Sequence, residues 1–227
     1  MTSTLKLLKI ILFTALFFLV KLQVYGFETQ EYFTGKIKYK SNFTDFKGND
    51  INKKVDSWFD LEQSMYFNQY NFKIINDQNK YLKLFQGKHN AYFYFNSDNS
   101  AYKIDQSSKT TQIVNVIEVD DVDTILGYPC EAVKIETDFR AYIYFFNPQI
   151  KIDTTPYINY NMEAWNVYLK ESEGALPLRV IVIDIKSKYV EDRRAVEVTN
   201  LPLMTSDFDF PKNIKLRHLK YGIDLIW

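Results

Sequence analysis

Apolar and polar residues alternate with a period of two along most of the chain, a pattern that predicts β-strands. In residues 32–39, Ile37 and Tyr39 would share one face while lysines occupy the other. A polar loop separates the aromatic run 91–95 from residues 101–104, which predicts a hairpin. Further strands are predicted at residues 80–85, 112–119, 132–136, 140–146, 178–185 and 195–199.

Two segments fit both a helix and strands. The apolar residues of 56–70 have helical spacing, but the same stretch also fits two short strands joined by a polar turn, so both interpretations stay open. In residues 161–170, Trp165 and Leu169 suit a helix or, together with Val167, a strand. We predict a strand there.

Several predicted strands are apolar on both faces. Tyr142, Tyr144 and Phe146 would share one face of their strand, yet the residues between them are apolar as well. Tyr92 and Tyr94 alternate with phenylalanines in the same way. A sheet with one wet face would alternate apolar and polar residues. Helices, long loops, the curled sheet itself or a ligand must therefore cover the second face.

The face that carries tyrosines supplies our candidates for contact with a ligand. In one interpretation the sheet forms a barrel filled by its own side chains. In the other, the concave face of a curved sheet lines an apolar cavity, and tyrosine hydroxyls meet a polar headgroup while the rings contact acyl chains. The candidate ligand-lining residues are Tyr92, Tyr94, Tyr142, Tyr144 and Phe146.

We predict a mainly β or α+β fold. Its core would be a single strongly curved antiparallel sheet, arranged as a half-barrel or open barrel with few short helices. The many Tyr, Phe, Ile and Val residues suit a pleated, half-buried surface. Since glycine is scarce, turns would depend on Asn and Asp.

Residues 1–26 have the features of a secretory signal peptide. Lysines precede an apolar run over residues 10–20, which is too short to span a membrane, and Gly26 offers a small residue for cleavage. We expect cleavage before Phe27 and localisation in the periplasm or outside the cell. An uncleaved N-terminal anchor is the alternative. Residues 27–227 would then form a single β-rich domain.

Composition and charge exclude several classes of function. The 28 Lys and Arg residues balance 28 Asp and Glu residues without a basic block, which argues against a nucleic-acid partner. Loss of the signal peptide, which has lysines but no acidic residue, would leave a mildly acidic chain. One cysteine excludes a disulfide framework, and two histidines make a His-based metal site hard to build. We expect Cys130 to be buried.

No motif points to catalysis or to a cofactor. The acidic run 118–123 lacks the glycine of a calcium loop, so we predict a solvated loop before a strand. His89 and His218 have no flanking nucleophile signature, and the chain has no G-x-S-x-G, G-x-G-x-x-G or phosphate-loop motif. We therefore predict a protein that is not an enzyme and holds neither cofactor nor metal.

The basic C-terminal residues 212–220 have two interpretations. Lys and Arg alternate there with Ile and Leu, which would suit contact with anionic lipid headgroups. The same pattern is typical of a last edge strand whose charges keep its outer face soluble, and we favour this interpretation.

Five short motifs, taken in order, resemble the GLPGLI-type exported bacterial proteins of unknown function and, more distantly, the outer-membrane lipoprotein carrier (LolA-like) proteins. The GLPGLI string itself is absent, and residues 174–178 stand in its place. The resemblance implies a strongly curved half-barrel without known catalytic residues, and carrier-like proteins hold acyl chains in the concave face. The motifs are residues 33–39, 125–130, 144–152, 174–178 and 208–211.

These observations lead to two hypotheses about function. The first is an exported, non-catalytic envelope protein that binds or carries a hydrophobic ligand, such as a lipid or a lipoprotein acyl chain, in a concave β-sheet. The alternative is an envelope structural or interaction protein with a packed interior and a protein partner.

Overall fold

The computed structural model describes residues 32–56, 59–104 and 112–218. The predicted signal peptide lies outside the described residues. The predicted fold class is confirmed: 56% of the chain is strand, in one large sheet that does not close into a barrel, and the helices are few and short. No helix in these ranges is long and apolar enough to span a membrane.

Twelve strands within the described ranges form the sheet, in the order β12-β6-β5-β4-β3-β2-β1-β11-β10-β9-β8-β7. Neighbouring strands are antiparallel, except that β12 runs parallel to β6, so the sheet is mixed. The strands are β1 (Gly35–Asp45), β2 (Glu62–Phe67), β3 (Asn71–Asn76), β4 (Tyr81–Gln86), β5 (Ala91–Phe95), β6 (Ser100–Ile104), β7 (Ile113–Ile125), β8 (Tyr128–Thr137), β9 (Arg140–Lys151), β10 (Ala175–Asp184), β11 (Tyr189–Asn200) and β12 (Lys215–His218).

Two short α-helices and four 3-10 helices connect these strands. The α-helices are α1 (Asn52–Val55) and α2 (Trp165–Glu171). The 3-10 helices are Gly87–His89, Thr155–Tyr157, Met162–Ala164 and Thr205–Phe208.

The strand predicted over residues 161–170 is wrong. This stretch forms a 3-10 helix and α2, in which Trp165, Tyr168 and Leu169 are buried at helical spacing. The segment has no neighbouring strand to pair with, and it lies across the sheet instead of joining it. The described part of residues 56–70 forms neither the helix nor the two strands: residues 62–64, expected as the turn, belong to one strand, β2, which leads into the turn to β3.

The acidic run 118–123 is not the predicted loop but part of β7. Asp123 lies within ion-pair distance of Arg179 (3.1 Å) and Arg194 (2.9 Å). These arginines lie on β10 and β11, three and four strands away in the sheet order. The end of β7 therefore crosses over the sheet, and cationic partners stabilise an acidic residue within a strand.

Ring contacts show that the sheet is strongly curved. Tyr92 on β5 reaches Tyr144 on β9 through Tyr160, Trp165 and Tyr168, in four steps of 5.4, 6.0, 6.3 and 4.1 Å between ring centroids. These steps together fall short of the roughly 34 Å that seven strand spacings would give in a flat sheet. The face that carries the tyrosines is therefore the concave one.

Residues 152–174, which connect β9 to β10 and which we call the covering segment, fill much of the concave face. Trp165 stacks on Phe67 with ring planes 7° apart, and Tyr157 stacks on Phe72. Tyr168 lies against Tyr144 and donates its hydroxyl hydrogen to the carbonyl oxygen of Ala175 at 2.7 Å. The chain itself therefore supplies a layer over these apolar strands.

Residues 201–214 cover the opposite face of β4, β5 and β6. Phe210 packs on Phe93 and Phe95, and Phe208 is buried in the same cluster. Lys73 on β3 holds this segment against the sheet. Its ammonium group donates to the carbonyl oxygen of Asp207 at 2.7 Å and lies over the Phe208 ring. Strand β5, which is apolar on both faces, is thus covered from both sides.

Two smaller expectations are met. Cys130 is buried on β8 and has a free thiol. The basic C-terminal stretch supplies β12, the edge strand at one end of the sheet order.

Phe208→Ala is expected to lower the free energy of unfolding by about 3 kcal/mol, because it leaves a cavity beneath residues 201–214. Lys212→Ala, an exposed change in the same segment, should alter it by less than about 0.5 kcal/mol. Urea unfolding followed by tryptophan fluorescence measures both variants. Equal stability of the Phe208→Ala variant and the wild type would show that this segment does not cover the sheet.

Candidate functional site

A cavity of about 80 Å³ lies between the covering segment and the concave face of the sheet. Its wall contains both aromatic and charged side chains. The aromatic residues are Phe43, Phe59, Tyr94, Tyr142 and Tyr189, and the charged residues are Asp60, Lys83, Arg140, Glu163, Glu191 and Arg193. A second cavity of about 20 Å³ shares Lys83, Glu163 and Arg193 with it.

Glu163 of the covering segment joins two distant strands. Its Oε1 lies 3.0 Å from the Nζ of Lys83 on β4, and its Oε2 lies 3.5 Å from the Nη1 of Arg193 on β11. Four strand positions separate β4 from β11. Burial alone would raise the pKa of Glu163, but the charges of Lys83 and Arg193 outweigh it and lower the pKa to about 2.

The backbone at Glu163 adopts a conformation that side chains disfavour. Glu163 has φ of 53° and Ala164 has φ of 57°, so two successive residues other than glycine lie in the left-handed region. Such residues persist where their surroundings hold them. Here the Tyr144 hydroxyl donates to the carbonyl oxygen of Glu163, in addition to the two ion pairs of its carboxylate.

Arg193 extends the network toward β1. Its Nε and Nη2 donate to the two carboxylate oxygens of Glu191 at 2.9 and 3.2 Å. The Ser41 hydroxyl on β1 donates to the same carboxylate at 2.8 Å. Although burial alone would lower the pKa of Arg193, the charges of Glu191 and Glu163 raise it well above its usual range. Arg193 therefore stays protonated beside the cavity.

Arg140 contributes a third cation to the cavity wall. Its Nε donates to Asp184 at 2.7 Å, and Asp184 also accepts the backbone N–H of Ser187 at 2.6 Å. Burial opposes the charge of Arg140, but Tyr142 and Asp184 raise its pKa. The carboxylates of Glu163, Glu191 and Asp184 are thus all engaged by donors of the protein.

All five aromatic residues singled out from the sequence belong to the concave side. Tyr94 and Tyr142 line the cavity. Tyr92 is covered by the ring of Tyr160, and Tyr144 and Phe146 by the ring of Tyr168. Their contact with a ligand stays a prediction, and in this structure rings of the chain occupy the space over three of them.

The charged residues of the cavity escaped sequence analysis. Lys83 interrupts an apolar run on β4. This interruption was the only local indication that a charged side chain of the strand belongs to the cavity. Glu163 lies in a segment predicted as a strand, so its direction could not be inferred. Its distance from Lys83 along the chain, 80 residues, hides the pairing.

The side chains in the cavity wall can form hydrogen bonds and ring contacts. The described residues that line it include no serine, cysteine or histidine. A carboxyl group with a pKa of about 2, such as Glu163, stays ionised at neutral pH and is a poor general acid or base. In the described ranges, no group of three or more His, Cys, Asp or Glu residues could hold a metal ion.

Comparison with known proteins gives a likeness of fold alone. No family model matches the chain, and no curated protein matches it. A structure of PNGF-II matches with a TM-score of 0.47 and 12% identity, over 81% of this chain and 31% of that chain. This chain therefore spans about a third of the length of PNGF-II.

Two shorter proteins match over most of their length. An uncharacterized conserved protein from Thermus thermophilus has a TM-score of 0.42 and 10% identity, over 82% of this chain and 91% of that chain. A LolA superfamily protein from Nitrosomonas europaea has a TM-score of 0.40 and 11% identity, over 78% and 90%. These likenesses do not identify a family, so the LolA-like and GLPGLI-type resemblances both stay predictions.

Glu163→Gln is expected to lower the free energy of unfolding at neutral pH by about 3 kcal/mol, because two partly buried cations lose their shared carboxylate. The pKa of Glu163 is lower in the folded protein than its ordinary value of 4.5. The stability that it contributes should therefore be complete above about pH 4.5 and disappear as the pH falls through about 2.

Urea unfolding of both proteins across this pH range measures the difference. Glu171→Gln, which removes an exposed carboxylate of α2, serves as the control and should change little. A difference between wild type and Glu163→Gln that widened toward low pH would contradict the ion-pair assignment.

Proposed function

We propose that the protein is an exported, non-catalytic protein of the cell envelope that binds a lipid or acyl chain on its concave face. The polar end of the ligand would enter the cavity beside Lys83, Arg140 and Arg193. Its apolar chain would lie along the aromatic residues of the sheet. The presence of five aromatic rings and three cations around one cavity carries this proposal.

Hydrogen-bond donors remain for such a polar end. An ammonium group has three donors and a guanidinium group has five. Lys83 donates one hydrogen bond to Glu163, and Arg140 gives its Nε to Asp184, so both retain further donors next to the cavity. Because the network carboxylates are already satisfied by the protein, these donors suit acceptor oxygens of a ligand.

The size of the cavity implies that the covering segment moves when a long ligand binds. Sites for drug-sized ligands measure about 300–1,000 Å³, several times the 80 Å³ available here. An acyl chain would have to replace rings of the covering segment, such as Tyr160 and Trp165, against the sheet. The covering segment would then exchange one set of apolar contacts for another.

The covering segment also has a buried hydroxyl without a hydrogen-bond partner among the described residues. Movement of the segment away from the sheet would remove the free-energy cost of burying it. In the described part of the chain, the hydroxyl of Tyr157 is the buried side-chain polar atom without a hydrogen-bond partner. Burial of an unsatisfied hydroxyl costs about 1–3 kcal/mol. Together with the left-handed residues Glu163 and Ala164, this hydroxyl reduces the free energy by which the covering segment prefers its closed position.

A second candidate is an interaction protein of the envelope whose interior stays packed. The observation that favours it is the same covering segment, because its rings already fill the space over Tyr92 and Tyr144. In this case no lipid would be needed to complete the concave face. Ligand binding separates the two candidates.

The delipidated protein is expected to bind a fluorescent long-chain fatty acid, and native mass spectrometry of the freshly isolated protein should show a retained lipid. Val182→Phe places extra bulk in the cavity wall and should weaken binding about tenfold. Ile183→Phe, on the opposite face of β10, is the matched control and should bind like wild type.

Circular dichroism confirms that both variants fold before binding is compared. Absence of uptake by the wild type, together with absence of any retained lipid, would reject lipid binding and favour the packed interaction protein. Equal loss of binding in both variants would reject the cavity as the site.

If the protein is exported, removal of the signal peptide should give the mature protein a defined N-terminus. Expression of the full chain in a Gram-negative host should yield periplasmic protein that begins at Phe27, because the apolar run and Gly26 direct cleavage at that point. N-terminal sequencing and intact mass measure the outcome. A membrane-bound product that retains residues 1–26 would identify the segment as an anchor.

A further inference from the structure

Strand β7 is the edge of the sheet opposite to β12. It pairs with β8 on one side, and the order of the sheet places no strand of the described ranges on its other side. In an antiparallel edge strand, every second residue directs its N–H and C=O groups away from the sheet. Residues 113–120 therefore have backbone groups that no other described strand pairs with on this side.

The side chains of this edge are apolar and exposed. Val114, Val116 and Ile117 are 62%, 37% and 39% exposed. Edge strands are usually kept short or protected by Lys or Pro. The edge at β12 fits that rule, since it has four residues and carries Lys215 and Arg217. In contrast, β7 has 13 residues, and its sequence contains neither Lys, Arg nor Pro.

Negative charge distinguishes this edge from a strand that would bind partners through apolar contacts alone. Glu118 and Asp120 on β7 and Glu131 on the neighbouring β8 are exposed, and these three described residues take part in no ion pair. By contrast, Asp123 is already neutralised by Arg179 and Arg194. The free carboxylates therefore lie beside the open part of the strand.

This charge selects among the possible occupants. Pairing of β7 with β7 of a second copy would add further acidic residues and no cation, and like charges placed directly opposite each other are destabilising. A strand with basic residues would gain opposite-charge pairs across the new ladder. On the other face of the strand, its apolar residues would lie beside Ile117 and Val119.

We propose that residues 113–120 of β7 bind an extended segment of a partner protein in which basic and apolar residues alternate. The segment adds a strand to the sheet: the main chain supplies affinity, and the acidic and apolar side chains of β7 supply selectivity. This surface is separate from the cavity, so it does not depend on lipid binding.

The test uses a fluorescent peptide that alternates lysine and valine, with the full chain and fluorescence anisotropy as the readout. A peptide that alternates glutamate and valine is the charge control, and a backbone N-methylated lysine–valine peptide is the hydrogen-bond control. We expect the basic peptide to bind at least about tenfold more tightly than either control. Equal binding of the basic and acidic peptides would overturn the proposal.

Two variants test the location. The double substitution Glu118→Lys and Asp120→Lys should reverse the preference, so that the acidic peptide binds more tightly. Asp56→Lys with Asp77→Lys changes the net charge equally at exposed positions outside β7, and it should leave the preference for the basic peptide intact. An equal effect of both double variants would show that net charge, not this edge, governs binding.

Hydrogen exchange identifies any other occupant. In the protein without peptide, the outward amides of residues 113–120 should exchange quickly, and the basic peptide should protect them. Protection that already exists at every protein concentration would indicate that another segment of the chain covers the strand. Protection that rises with protein concentration would indicate a second copy. Either result would overturn the proposal.

Discussion

The two ion pairs of Glu163 connect parts of the protein that the sheet alone would leave apart. One carboxylate, carried on a short helical stretch, contacts Lys83 on β4 and Arg193 on β11 across the concave face. Removing one partner of such a buried set leaves an uncompensated charge, which is costly. This contact links the covering segment to both strands and places one carboxylate between two cations of the cavity wall.

The aromatic composition of the chain follows from this arrangement. Residues 152–174 cover the concave face of the sheet, and residues 201–214 cover the opposite face at β4, β5 and β6. Strands such as β5 must therefore be apolar on both sides, with Tyr92 directed inward and Phe93 outward. Ligand binding at the concave face would then be a competition between a ligand and the rings of the covering segment.

Sequence analysis could predict the strands but not the layer that covers them. Alternation along residues such as Tyr142 and Tyr144 identifies both a strand and its apolar faces, because the side-chain period of a strand is two. The same alternation was misleading at Trp165, where packing against distant rings decides in favour of a helix. The site was hidden for a related reason: Glu163 and Lys83 meet only through tertiary structure, and no local pattern encodes a pairing across 80 residues.

Native-state hydrogen exchange tests most directly whether the buried ion pairs hold the covering segment in place. The measurement compares the amide of Ser172, which donates to the Tyr168 carbonyl at the end of α2, with amides of β10. In a Lys83→Met variant, we predict faster exchange at α2 while β10 keeps its protection. Unchanged exchange at α2, or an equal loss of protection in both elements, would contradict the account.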